Sequence, residues 1–200
     1  MKHQIITISR EFGSGGRTIG KQLAQKLGIP CYDEEIINQI AEESGLTKEF
    51  IRESGEYAPS GSWLGNALTG RDLYGRSIND AVWNLQKSVI QQLAEQGDCV
   101  IVGRCADYIL RETADCLTVF IHASLEKRAE RIVKVYGERE ESPKKRLQDK
   151  DRRRKAYYQF YTDVKWGDVR NYQITLDSGV IGIEKCVEIL ADLYQTKREK

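Results

Sequence analysis

Hydrophobic residues in this chain fall into two patterns, short unbroken runs and longer helical spacings. Ile5, Ile6 and Ile8 lie within Gln4–Ser9, directly ahead of the glycine-rich run Gly13-Ser14-Gly15-Gly16, and predict a strand. A helix is expected from about Thr18 to Leu27, stopped by Gly28 and Pro30. A very short strand follows at Pro30–Tyr32. Asp33 then caps a helix near Glu34–Glu43, with Gly45 as its stop. Ser77–Gln96 carries apolar residues at 78, 82, 85, 89, 90 and 93, a helical spacing that ends at Gly97. Cys99–Val102 is an unbroken apolar run and Leu117–Ile121 is apolar but for Thr118, as expected of strands buried on both faces. Ser124 is an N-cap signal for the next helix. A basic helix over Pro143–Tyr161, a strand at Gln173–Leu176 and an amphipathic helix over Ile183–Tyr194 complete the chain. Residues 55–76, rich in glycine and poor in periodicity, are expected to form a mobile insertion.

Strands alternating with helices predict an α/β fold, with a parallel sheet covered on both faces. Ligands of such sheets bind at the carboxyl ends of the strands, so the loops after the first, third and fourth strands are the places to look. The 200 residues fit one domain with an insertion. Thirty-one Lys and Arg against 30 Asp and Glu leave a net charge of +1, which argues against a nucleic-acid coat and leaves room for a local basic patch. No apolar run is long enough to span a bilayer, and no membrane association is expected. The opening residues lack the apolar core of a signal peptide, and the five cysteines form no C-x-x-C pair; together they point to a reducing, cytoplasmic setting.

The most specific local signal runs from Glu11 to Thr18. The phosphate-binding loop pattern is G-x-x-x-x-G-K-[ST], and Gly16-Arg17-Thr18 stands where G-K-[ST] belongs. Small residues let backbone amides turn inward, the helix start adds partial positive charge, and a hydroxyl can hold Mg²⁺. Two positions depart from the pattern. Glu11 replaces the first glycine, and Arg17, a planar fork, replaces the compact lysine charge. The dinucleotide pattern G-x-G-x-x-G fails at Thr18, although Asp33 lies where a ribose-binding acid of a dehydrogenase could sit.

Further segments join the loop. The chain carries Ile8-Ser9-Arg10-Glu11-Phe12-Gly13-Ser14-Gly15-Gly16-Arg17, then Tyr32-Asp33-Glu34-Glu35-Ile36 and Val102-Gly103-Arg104. Later come Asp151, Arg154, Tyr157 and Tyr158, followed by Trp166-Gly167-Asp168. This set resembles the cytidylate kinase-like family of P-loop nucleoside monophosphate kinases over nearly the whole chain. The resemblance implies a three-layer P-loop kinase fold. Its five-stranded parallel sheet would be ordered 2-3-1-4-5 and flanked by helices. Residues 45–80 would form a monophosphate-binding insertion and 137–165 a helical lid, all within a single domain of 1–200. It implies transfer of the terminal phosphoryl of ATP, with Mg²⁺, to CMP or dCMP. Against true cytidylate kinases, Cys105 stands where G-R-D has its acid, with Asp107 the nearest replacement. Gln39 stands where an arginine contacts phosphate.

The same resemblance assigns roles. Gly13, Ser14, Gly15, Gly16, Arg17 and Thr18 would hold ATP, with Thr18 at the metal. Arg17, Arg104 and Arg154 would act on the transferring group. Arg128 or Arg131, on the helix after Ser124, would face the phosphates, and Arg153 would join them from the lid. Asp33, Arg104, Asp107 and Asp151 would serve the acceptor side, Asp151 by orienting the lid arginines. Residues 144–155 hold eight basic residues and two acids, a local +6 that suits closure over ATP. The aromatics Tyr157, Tyr158, Phe160 and Tyr161 could stack RNA bases, but their helical spacing favours packing at the lid base. Nucleotides are the expected partners, nucleic acid is not, and a homodimer is left open. The alternatives are a nucleotide-binding regulator of weak catalytic power and a kinase of another small phosphate acceptor.

Overall fold

The computed structural model describes residues 3–56 and 78–198. Five strands form one parallel sheet: β1 Gln4–Arg10, β2 Cys31–Tyr32, β3 Cys99–Val102, β4 Asp115–His122 and β5 Ile174–Asp177. Their order is β2-β3-β1-β4-β5, as the resemblance implies. β1 is central. It pairs with β3 from Ile5↔Cys99 to Ile8↔Val102, and with β4 from Gln4↔Asp115 to Arg10↔Ile121. Every residue of β1 is buried, and its isoleucines Ile5, Ile6 and Ile8 fall on both faces of the strand rather than alternating with exposed polar residues.

The helices are α1 Gly16–Leu27, α2 Glu34–Ser44, α3 Lys48–Ser54, α4 Ile78–Glu95, α5 Ala106–Ile109, α6 Leu125–Tyr136, α7 Pro143–Thr162, α8 Ser178–Ile181 and α9 Ile183–Arg198. A 3₁₀ turn at Val169–Asn171 follows Trp166-Gly167-Asp168, and Asp168 caps it. Successive residues of β1 point to opposite faces. Ile5 joins Ile36, Ile40, Ile90, Ile101, Tyr157 and Tyr158 on one side, the side of α2, α4 and α7. Ile6 and Ile8 join Ile19, Leu23, Val119, Ile121 and Leu190 on the other, the side of α1 and α9. The result is a three-layer α/β fold.

Most expected elements stand within a residue or two of their predicted limits. Ser124 is the N-cap of α6, its side chain accepting from the Lys127 amide at 3.3 Å. Asp33 is a correction: it occupies the N-cap position of α2 but makes no side-chain cap bond, because its carboxylate is drawn to Arg17. Helix α3 was not expected. It has no periodic face to read and rests on Thr47 as its cap and on the burial of Ile51. The basic helix is one element of 20 residues, and Tyr157 and Tyr158 are buried at its base, with Tyr161 stacked on Trp83. Residues 57–77, and with them most of the expected insertion, lie outside the described residues. Among the described residues, no helix is long and apolar enough to cross a membrane.

Candidate active site

The turn between β1 and α1 is a backbone cradle. Gly13 and Gly15 adopt φ of +82° and +86°, a left-handed conformation that favours glycine. Space excludes a side chain as well: a Cβ on Gly13 would lie 2.8 Å from Ile132 Cγ2 and 3.1 Å from the Arg128 carbonyl oxygen. Ser14 secures the back of the turn. Its hydroxyl lies 2.9 Å from the Glu11 carbonyl and 3.1 Å from that of Ile121, and its own carbonyl accepts from Ser178 Oγ. The amides of Glu11 and Phe12 are also taken, by the Ile121 carbonyl at 3.0 Å and by Asp151 Oδ1 at 2.7 Å. The amides of Gly13, Gly15, Gly16, Arg17 and Thr18 make no hydrogen bond among the described residues. Three of these open α1, where the first turn of a helix always leaves donors unsatisfied.

The cradle opens into a cleft of about 410 Å³. Gly13, Gly15, Gly16, Arg17 and Thr18 form one wall. Arg10 and Arg104 come from the carboxyl ends of β1 and β3, Arg131 from α6, and Arg146, Lys150 and Arg154 from α7. Among the described residues, nine basic side chains line the cleft against five acidic ones. Such a surface concentrates polyanions.

Arg104 arrives on a strained turn. Gly103, Arg104 and Cys105 have φ of +74°, +59° and +53°, so two consecutive non-glycine residues are left-handed. Each costs on the order of 1 kcal/mol, a strain that proteins keep where a side chain must be aimed. The Arg104 side chain is buried and donates to the Ile51 carbonyl at 3.1 Å. Arg154 is also buried; it donates to the Arg10 carbonyl at 3.2 Å and fixes α7 over the loop. Arg17 points away from the cradle and bonds Asp33 Oδ1 and Glu34 Oε1, each at 3.3 Å. Burial raises the Asp33 carboxyl above its usual value, and the Arg17 charge opposes that rise.

Arg128 and Arg131 divide their tasks. Arg128 lies outside the cleft lining. It donates to the carbonyls of Ala123 at 3.1 Å and Phe12 at 3.2 Å, and pairs with Glu11 and Asp151. Glu11 is thereby turned from the cradle, bonded to the Ala123 amide at 3.2 Å; burial raises its carboxyl and Arg128 opposes this. Arg131 faces the cleft and donates to Thr18 Oγ1 at 2.9 Å. Arg153 donates to Glu53, a cleft-lining carboxylate, at 2.6 Å and does not itself line the cleft. Asp107 is buried behind Arg104 and accepts from the Tyr158 hydroxyl at 2.7 Å; Asp151 orients Arg128 rather than Arg153 or Arg154. The structure thus brings together the loop, Arg104 and Arg154 at the cleft, whose lining does not include Arg128, Arg153, Asp33, Asp107 or Asp151.

Arg10 and Glu56 are among the cleft residues that the reading of the sequence did not assign. Arg10 carried a usable signal, a cation at the exit of a central strand. Glu56 carried none, because its setting is made by residues 46 or more positions away. As to a metal, no group of three or more His, Cys, Asp or Glu side chains among the described residues could hold one. Thr18 Oγ1, on the cleft wall, suits a Mg²⁺ that arrives on nucleotide phosphates and keeps most of its water, the usual habit of that ion.

Sheet order, strand–cradle–helix unit and basic cleft define a P-loop kinase, a phosphotransferase with a nucleotide-binding loop. The chain belongs to the cytidylate kinase-like family, which it matches over residues 5–180. It is 29% identical over 204 residues to the cytidylate kinase of Archaeoglobus fulgidus, covering 98% of this chain and 97% of that one. An uncharacterised protein from Eubacterium ventriosum superposes with a TM-score of 0.72 at 26% identity, covering 96% of this chain and 98% of that one. Shikimate kinase from Acinetobacter baumannii, in complex with shikimate, superposes with a TM-score of 0.55 at 15% identity, covering 100% and 97%. At that identity the likeness is one of fold.

Proposed function

We propose that the protein transfers the terminal phosphoryl group of ATP to a nucleoside monophosphate, with CMP or dCMP as the preferred acceptor. The observation that carries this reading is the set of five amides, Gly13, Gly15, Gly16, Arg17 and Thr18, that have no hydrogen-bond partner among the described residues and lie at a cleft with an excess of basic side chains. Oriented amides at a helix start suit phosphate oxygens and need no reorganisation when charge develops on them. The names of the archaeal relatives support the acceptor.

In this reading the amides grip the β- and γ-phosphates. Arg131 lies beside the cradle, close enough to share Thr18 Oγ1, and adds a guanidinium at the donor's phosphates. Mg²⁺ carried with ATP would take Thr18 Oγ1 and neutralise part of the phosphate charge. An acceptor phosphate oxygen attacks the γ-phosphorus, the bond to the bridging oxygen breaks, and ADP leaves with the electron pair. That nucleophile is already deprotonated, so no general base is required. Arg104 and Arg154 supply charge on the acceptor side, and α7 excludes water above the loop. Arg17 serves at the edge of the site, where it can exchange Asp33 for a phosphate oxygen.

The test is a coupled assay with ATP, Mg²⁺ and a panel of CMP, dCMP, UMP, AMP and GMP. Turnover of the cytidine nucleotides above the others is expected. Folded protein that turns over none of them overturns the reading. A second reading, a nucleotide-binding regulator, draws on the Arg17–Asp33 and Arg17–Glu34 pairs, which occupy the cation that stands in for the loop lysine. ATP binding by calorimetry without any product would favour it.

A further inference from the structure

Three guanidiniums from three separate elements converge on one buried carboxylate. Arg10 ends β1, Arg104 follows β3 on its left-handed turn, and Arg154 lies on α7. Glu56, just beyond the end of α3, sits among them. Arg10 Nη1 bonds its Oε1, and Arg154 Nη2 stands 3.6 Å from its Oε2. The backbone at Gly55 lies against Arg104 Nη1. All four side chains line the cleft. The cluster also borders the cradle, since a Cβ on Gly16 would lie 2.6 Å from the Arg10 Cβ. It stands where a group accepting a phosphoryl from the loop would have to be.

Three guanidiniums gathered at the lining of an open cleft form a surface that an anion can enter. A phosphate monoester brings up to two charges and three terminal oxygens, which planar guanidinium forks match bidentately. An alcohol acceptor would need a proton acceptor in this place instead. Glu56 is unfit for that task. Burial alone would raise its carboxyl, but the Arg10, Arg154 and Arg104 guanidiniums outweigh burial and hold it well below the usual carboxylate range.

We propose that Glu56 is an internal occupant of the acceptor's phosphate site, whose carboxylate keeps Arg10, Arg104 and Arg154 assembled until a phosphate-bearing acceptor displaces it. The proposal rests on the phosphoryl-transfer reading above and sharpens it: the acceptor is a phosphomonoester, and Glu56 sets its apparent affinity. A ligand competing with an occupant binds more weakly by the fraction of time the site is open.

The test uses inorganic phosphate as probe and the full chain in three forms: unaltered, Glu56→Gln, and Glu56→Gln combined with Arg10→Gln. Phosphate bound at the cradle is common to all three, so differences between them report the cluster. Calorimetry is expected to show Glu56→Gln binding phosphate at least about tenfold more tightly than the unaltered chain. Adding Arg10→Gln is expected to remove that gain. Equal affinities with and without Glu56→Gln overturn the proposal and make Glu56 a permanent partner of the arginines. If Glu56→Gln is too unstable to titrate, its melting temperature becomes the readout. Recovery by phosphate, but not by chloride at equal ionic strength, supports the proposal; no recovery overturns it. A gain in phosphate affinity without turnover of any monophosphate would defeat the phosphoryl-transfer reading and leave the anion site standing.

Discussion

Replacing Asp151 by alanine tests how α7 is held over the loop. The Asp151 carboxylate is the one side chain of α7 that bonds a cradle amide, Phe12 N at 2.7 Å, and it also pairs with Arg128. Both side chains are largely withdrawn from water, 17% exposed for Asp151 and 9% for Arg128. A hydrogen bond to a charged group contributes about 1.5–3 kcal/mol, and breaking a buried pair costs about 3–5 kcal/mol. Arg128 keeps the Ala123 and Phe12 carbonyls and Glu11, so the loss lies toward the lower end. Asp151→Ala should therefore destabilise the fold by about 2–4 kcal/mol. For a chain of this length that lowers the melting temperature by about 4–16 °C. Asp151→Asn keeps an acceptor for the Phe12 amide and should cost about half as much. Urea unfolding followed by circular dichroism gives the stability, and hydrogen exchange of the Phe12 amide reports the contact itself. Exchange should quicken in Asp151→Ala, and the KM for ATP should rise as α7 loosens. Stability within about 0.5 kcal/mol of the unaltered chain, the scatter of neutral surface changes, would refute the reasoning.

Three further outcomes are expected. Gly13→Ala forces a left-handed alanine against Ile132 and the Arg128 carbonyl, so it should cost more than about 2 kcal/mol and abolish ATP binding; calorimetry with ATP checks this. Burial raises the Asp107 carboxyl, against the Tyr158 hydrogen bond that lowers it. A raised folded value means stability that is fully present below the unfolded value and lost as pH rises through the folded one. Asp107→Asn escapes that loss, so its melting temperature relative to the unaltered chain should climb as pH rises above the ordinary carboxylate value, and a constant difference would contradict the assignment. Chelation with EDTA should stop turnover yet leave the melting temperature of the nucleotide-free protein unchanged, because the described residues hold no metal cluster of their own.

Much of this architecture follows from local pattern. A strand buried on both faces is rich in apolar residues on both, so β3 appears as an unbroken run and β1 and β4 as apolar stretches with polar interruptions. A tight turn into a helix must be small, so the cradle appears as Gly13-Ser14-Gly15-Gly16 between strand and helix spacings. The resemblance to the family's motifs supplied the strand order. Helix α3 stayed hidden because seven residues with one buried side chain leave no period to read.

The roles of the charged residues were settled only by folding. Arg128 and Arg131 lie one turn apart on α6, yet one ties Phe12 and Glu11 in place while the other faces the cleft. Their spacing is helical in either case, and only the packing of α6 against the loop and α7 separates them. Arg17 appeared as the loop's cation, but Asp33 and Glu34 at the start of α2 hold it aside. Glu56 meets Arg10, 46 residues away, because β1 and α3 deliver them to the same cleft. Periodicity along a chain records which face of an element is buried. The partner a charged side chain finds depends on which other elements reach that place, and this arises only when the sheet is assembled.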